Sequence, residues 1–311
     1  MSILPERTPY LAYRAGAEIA RFVPEPIGGP LARGLAQVAP AVMTARRRQV
    51  ERNLRRVYGP SFSGPELRRS VTATFDSYGR YFYELFRLPT HRPEWIETHF
   101  RCRGLEHITT AIADGRGAVL ALPHLGNWDF AGSWLALQGY TVTVVAEPVD
   151  PPELFEWFVE TRAKLGMRVI PLSPQAGTDV LRAVHANEVV CLLADRDLTG
   201  DGIEVEFFGE RTTLPGGPAM LTLRGGAPLL PAGCYFRANG RHETDILAPV
   251  SAERSGRIRG DLTRVTQDLA YRFEDLIRAA PTHWHLLQPN WPSDRDPEPH
   301  PDRASTGSGM R

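Results

Sequence analysis

The sequence predicts an α/β fold: a mostly parallel central sheet covered by helices on both faces, preceded by a helical segment. Three observations predict it. Between residues 105 and 250, short apolar runs alternate with helix-length amphipathic stretches, the pattern of successive βαβ units. The apolar runs are continuous, which suits strands covered on both faces. Residues 8–58, by contrast, read as helices.

In the first helix Leu11, Ala15, Ile19, Phe22 and Val23 share one face, with Arg14, Glu18 and Arg21 opposite. Pro24, Pro26, Gly28, Gly29 and Pro30 then break the pattern. The next stretch, LARGLAQVAPAVMTARRRQVERNLRRVYG, is apolar first and basic after. Arg46, Arg47, Arg48, Arg52, Arg55 and Arg56 make it the densest positive charge in the chain. Such a run is either a solvated helix face or a surface drawn to anionic lipid head groups. Residues 66–88 predict another helix, whose aromatic stripe (Phe75, Tyr78, Phe82, Phe86) reads as core.

The alternating zone follows. GAVLAL, TVTVVA, RVIPL and VVCLLA predict strands. DFAGSWLALQG, PELFEWFVETRAKLG and TDVLRAVHANE predict the helices between them. A long loop comes after residue 194. GPAMLTLRGG then reads as helix, PLLPAGCYFR and HETDILAPV as strands, and residues 260–279 as a last helix. The polar, Pro-rich tail from Pro292 predicts disorder. One domain is therefore expected over residues 1–291, with a tail over 292–311.

Basic and acidic residues balance at 36 each over 311 residues, and Lys164 is the single lysine. That balance gives no reason to expect a nucleic-acid partner. Cys102, Cys191 and Cys234 make no CxxC pair and no zinc spacing. They read as reduced, mostly buried thiols, which suits a reducing compartment. The opening MSILPERTPY has no basic region followed by an apolar core, so no leader is expected. No uncharged apolar run is long enough to span a bilayer.

The chemistry concentrates at two strand ends. His124 follows GAVLAL, and Asp195 follows VVCLLA in the same way. Ligands gather at the carboxyl ends of strands in open α/β sheets, so both side chains belong at one edge. Asp129 lies five residues after His124, at the start of the next helix. Gly126 permits a tight turn, and Asn127 is placed to cap that helix. A histidine beside a carboxylate is the arrangement of a general base. No Gly-x-Ser-x-Gly elbow is present, which favours direct attack by a substrate hydroxyl. Two other readings fit the spacing: a structural histidine with unrelated aspartates, and a metal set of His124, Asp129 and Asp195.

HLGNWD matches the HX4D motif of glycerolipid and late lipid A acyltransferases. The longer frame, GLEHITTAIADGRGAVLALPHLGNWDFAG through DRDLTGDGIEVEFFG, LPGGPA and HWHLLQPNW, resembles the phosphatidylinositol mannoside acyltransferases of high-GC Gram-positive bacteria over about residues 8–292. The resemblance implies transfer of a long-chain acyl group, palmitoyl, from acyl-CoA. The implied acceptor is the 6-hydroxyl of the mannose on inositol position 2 of phosphatidylinositol mono- or dimannoside. It implies His124 as the catalytic base, Asp195 as its charge-relay partner and Asp129 as the HX4D carboxylate. Asp195 stands where close relatives carry glutamate, so a shorter side chain must reach the imidazole, or Asp129 must help.

On the substrate side the resemblance implies Arg162 near the acyl donor and Arg224 in the donor pocket, where close relatives carry glutamate. Asp201 and Asn127 are expected among the substrate-binding residues. Acyl-CoA enters as co-substrate, and no cofactor or metal is expected. The acceptor's lipid tails place the enzyme peripherally at the cytoplasmic face of the membrane, with residues 8–58 against an anionic surface. Main-chain N–H groups at Gly126 and Asn127 are candidates for stabilising the oxyanion. Trp284 and His285 either close the site or pack the core. Another glycolipid acceptor, an acyl carrier protein donor, and a non-catalytic lipid-binding protein of the same fold are the alternatives.

Overall fold

Residues 118–122 carry no polar side chain, and all are buried; a strand covered on both faces needs no polar alternation. The computed structural model describes residues 8–23 and 25–295. In chain order its helices are α1 (Thr8–Phe22), α2 (Glu25–Val42), α3 (Thr44–Tyr58), α4 (Gly64–Arg87), α5 (Pro93–His99), α6 (Leu105–Ala113), α7 (Trp128–Leu137), α8 (Pro152–Lys164), α9 (Ala176–His185), α10 (Gly217–Gly225) and α11 (Ile258–Ala279). The strands are β1 (Phe100–Arg103), β2 (Ala118–Leu122), β3 (Val142–Ala146), β4 (Met167–Pro171), β5 (Val189–Leu193), β6 (Ile203–Phe207), β7 (Glu210–Leu214), β8 (Leu229–Phe236) and β9 (His242–Ile246).

Among the described residues, seven strands form one sheet in the order β1-β9-β8-β2-β5-β3-β4. β8 and β9 pair antiparallel; every other neighbouring pair in this sheet is parallel. Each face has its own apolar core. Leu85 of α4, Ile108 of α6 and Phe130 of α7 pack on one side. Val180 of α9, Leu221 of α10 and Phe273 of α11 pack on the other. Each such buried side chain contributes about 2 kcal/mol.

The register aligns the site. Leu122 on β2 is paired with Leu193 on β5. His124 and Asp195 each lie two residues further on, so parallel pairing delivers them side by side at the carboxyl edge.

Several expectations need correction. The break after α1 is short: α2 starts at Glu25 and contains Pro30 and Pro40; Pro24 lies outside the described residues. The long loop after residue 194 contains a hairpin, β6–β7. Phe208 and Gly209 at its tip both have positive φ, the geometry of the two-residue turn that matches strand twist. The alternation in IEVEF and ERTTL was the missed signal. Residues 93–113 add α5, β1 and α6, which the sequence reading did not separate. Ordered chain continues past Pro292: Asp294 is buried and accepts from Gln49 Nε2 at 2.8 Å and pairs with Arg56 at 2.8 Å. The expected tail from residue 296 onward lies outside the described residues.

Candidate active site

The turn after β2 is built by Gly126. Its φ is +65°, and a Cβ there would collide with the Cys234 carbonyl oxygen, so only glycine fits without strain. The turn presents the His124 ring at the mouth of a cavity of about 520 Å³. The His124 side chain is about one quarter exposed, whereas the Asp195 side chain is fully buried.

Asp195 is held from several directions. Its Oδ1 lies 2.6 Å from His124 Nδ1. Its Oδ2 accepts from the His124 main-chain N–H at 3.0 Å and from Trp284 Nε1 at 2.8 Å. Burial alone would raise the Asp195 pKa; the charge of His124 and these hydrogen bonds outweigh it and hold the pKa below its ordinary value. An ionised carboxylate only accepts, so His124 Nδ1 carries the hydrogen and Nε2 is left to take a proton. Aspartate therefore reaches the imidazole without help. Trp284, read in the sequence as either core or closure, is buried and is also a direct ligand of Asp195.

Asp129 does not join this pair. From the first turn of α7 its carboxylate turns toward α4 and α8. Arg162 Nε donates to Oδ1 at 2.7 Å and Nη2 to Oδ2 at 3.2 Å; Tyr81 Oη donates to Oδ2 at 2.7 Å. This clamp holds the Asp129 carboxylate apart from the His124–Asp195 pair, and among the described residues the three do not gather as a metal-ligand set. Burial disfavours the Arg162 charge, but Asp129 and Tyr81 outweigh it and raise its pKa, so the guanidinium stays charged. Arg162 does line the cavity, beside Asp129.

Asn127 caps α7: its Oδ1 accepts from the Phe130 N–H at 3.0 Å, and its Nδ2 donates to Glu84 at 2.9 Å. Both ends of this buried amide make hydrogen bonds that position α7. The Gly126 N–H is likewise spent on the His283 carbonyl at 2.9 Å. Of the two expected oxyanion donors, that leaves Asn127 N–H. Arg224 sits exposed in the last turn of α10, where Ala219 and Leu221 face inward, and it is not among the cavity-lining residues. Asp201 is exposed and accepts a hydrogen bond from Thr199. Thr199 does line the cavity, so Asp201 stands behind its rim.

Arg196, Asp197 and Asn290, which the sequence reading did not single out, and His285, which it did, complete the site. Arg196 lines the cavity and donates to Glu147 at 2.8 Å. Asn290 donates to the Asp195 carbonyl at 3.2 Å and accepts from the Asp197 N–H at 3.3 Å. Asp197 in turn organises its loop by accepting from Thr199, Gly200, Gly202 and Thr213. His285 lines the cavity, bonds Ser77 Oγ at 2.8 Å and is fully buried. Burial, with His283 and His124 nearby, holds its pKa well below the ordinary value, so it is a neutral wall. The "DRD" cluster that begins at Asp195 was the available signal for Arg196 and Asp197.

The family model for bacterial lipid A biosynthesis acyltransferases matches residues 4–293. A protein of Mycobacterium tuberculosis (strain CDC 1551 / Oshkosh) named phosphatidylinositol mannoside acyltransferase is 45% identical over 79% of this chain and 77% of its own length. A protein of the same name from Mycolicibacterium smegmatis is 39% identical over 93% of both chains. Lipid A biosynthesis lauroyltransferase of Escherichia coli is 27% identical over 73% of this chain and 74% of its own length.

Proposed function

The chain belongs to the bacterial lipid A biosynthesis acyltransferase family, and from that premise we propose that it acylates a phosphatidylinositol mannoside. The donor is acyl-CoA, the acyl group is long (palmitoyl), and the acceptor is the 6-hydroxyl of the mannose on inositol position 2. The observation that carries this reading is the His124–Asp195 pair at the mouth of a largely apolar cavity. Nε2 of His124 takes the proton as the mannose oxygen attacks the thioester carbonyl. The imidazolium that forms is stabilised by Asp195. Collapse of the tetrahedral intermediate breaks the C–S bond, and the proton passes from Nε2 to the departing CoA sulfur. Asp129 positions Arg162 in the wall instead of touching the reacting atoms. Acyl transfer to the mannoside, read as added acyl mass with release of CoA, is the test.

The same reading sets the chain peripherally on the cytoplasmic face of an anionic membrane, where acyl-CoA and the acceptor's lipid tails meet. Among the described residues no helix is long and apolar enough to cross a membrane. Support comes from where large apolar side chains are exposed. Leu11, Ile19 and Phe22 on α1, and Ile27, Leu31, Leu35, Val38 and Val42 on α2, are all more than half exposed. Such a concentrated apolar patch marks a docking surface. The cavity is close by: Tyr13 of α1 packs on Phe82 and Phe158, both in its wall. Of the basic run, Arg56 faces inward to Glu210 and Asp294, while Arg46 and Arg48 are exposed. Leu31→Glu with Leu35→Glu should lower binding to vesicles containing phosphatidylinositol about tenfold or more in a flotation assay. Undiminished flotation would contradict this placement.

A further inference from the structure

The cavity occupies both faces of the sheet. Val144 and Cys191 belong to the core under α7, Val145 and Leu192 to the core under α9, and all four line it. Two arms therefore meet at the carboxyl edge, beside His124. The arm under α7 is walled by apolar side chains, among them Leu120, Leu122, Trp134 and Leu135. On the flank of this arm Gly132 of α7 faces Met167 of β4.

Gly132 is bare where neighbouring positions of the helix carry the rings of Phe130 and Trp134. A Cβ at 132 would run into Met167 Sδ. Met167 is only 3% exposed, and close-packed surroundings leave it little other room. The open space beside it is the arm, so a side chain at 132 drives the thioether into the lumen. We infer that Gly132, with Met167, sets the length of acyl chain that this arm accepts. This rests on the reading that the α7 arm receives the donor's acyl chain.

Two readouts separate the inference from that reading. The first is binding of free saturated fatty acids, from octanoate to stearate, by native mass spectrometry. The second is transfer from the matching acyl-CoAs. Alanine is a better helix former than glycine, so Gly132→Ala retains the helix. It should weaken palmitate and stearate binding about tenfold relative to octanoate, the loss of about two buried methylenes. Transfer should shift to shorter donors in parallel. Gly132→Ala with Met167→Ala should restore the long chains. Equal weakening of octanoate and palmitate, or an unchanged length profile, overturns the inference even if transfer proceeds. The expected binding profile without any transfer by wild type keeps the length limit and removes the acyltransferase reading instead.

Discussion

Replacing Asp195 with asparagine should lower kcat for acyl transfer about 10⁴-fold, and His124→Ala should leave no measurable transfer. The size of the first effect follows from tautomer control. The amide oxygen would keep the hydrogen bonds from Trp284 Nε1 and the His124 main-chain N–H, both now made to Oδ2. That turns the amide NH2 toward His124 Nδ1, 2.6 Å from Oδ1 in the wild type. Nδ1 must then accept, the ring hydrogen moves to Nε2, and Nε2 loses its capacity to take a proton. Steady-state kinetics on the purified variant, with circular dichroism to check folding, reads the effect. A loss of less than tenfold would mean that Asp195 does not govern the base.

Arg162→Ala should cost about 3–5 kcal/mol of stability, the largest loss expected from a single change in the cavity wall. Asp129 is 1% exposed and would be left with Tyr81 as its remaining side-chain donor among the described residues. An uncompensated buried carboxylate is far more costly than a missing pair. Removing both charges, Arg162→Ala with Asp129→Leu, should therefore recover part of the loss in a denaturant-unfolding cycle. If Arg162→Ala left the unfolding midpoint in place but raised KM for the acyl donor, Arg162 would be a donor contact instead of a partner that Asp129 holds in position.

The dyad was legible because both of its members close an apolar run at the same offset. Leu122 and Leu193 end their strands, and parallel register carries that equality into space. The central strands and helices followed for the same reason, periodicity being a local signal. The clamp on Asp129 was not legible. Its partners Tyr81 and Arg162 come from helices on either side in the sequence, and an aromatic stripe on a helix reads the same whether one hydroxyl is spent on a carboxylate or none is. Arg224 shows the reverse: a position carried over by resemblance sits on the solvent side of α10, since facing is set by packing against α9 and α11. The hairpin after residue 202 was overlooked because its strands alternate, unlike the buried runs that dominate the chain.

The central claim is that His124 activates one particular hydroxyl. It is tested most directly by offering wild-type protein palmitoyl-CoA with natural phosphatidylinositol dimannoside, or with the same lipid carrying 6-deoxymannose on inositol position 2. Mass spectrometry locates the acyl group, and free thiol reports CoA. Palmitoyl is expected on the natural acceptor, matched by CoA release, and none on the deoxy lipid. Equal acylation of the deoxy lipid, or no CoA release with either acceptor, would contradict it.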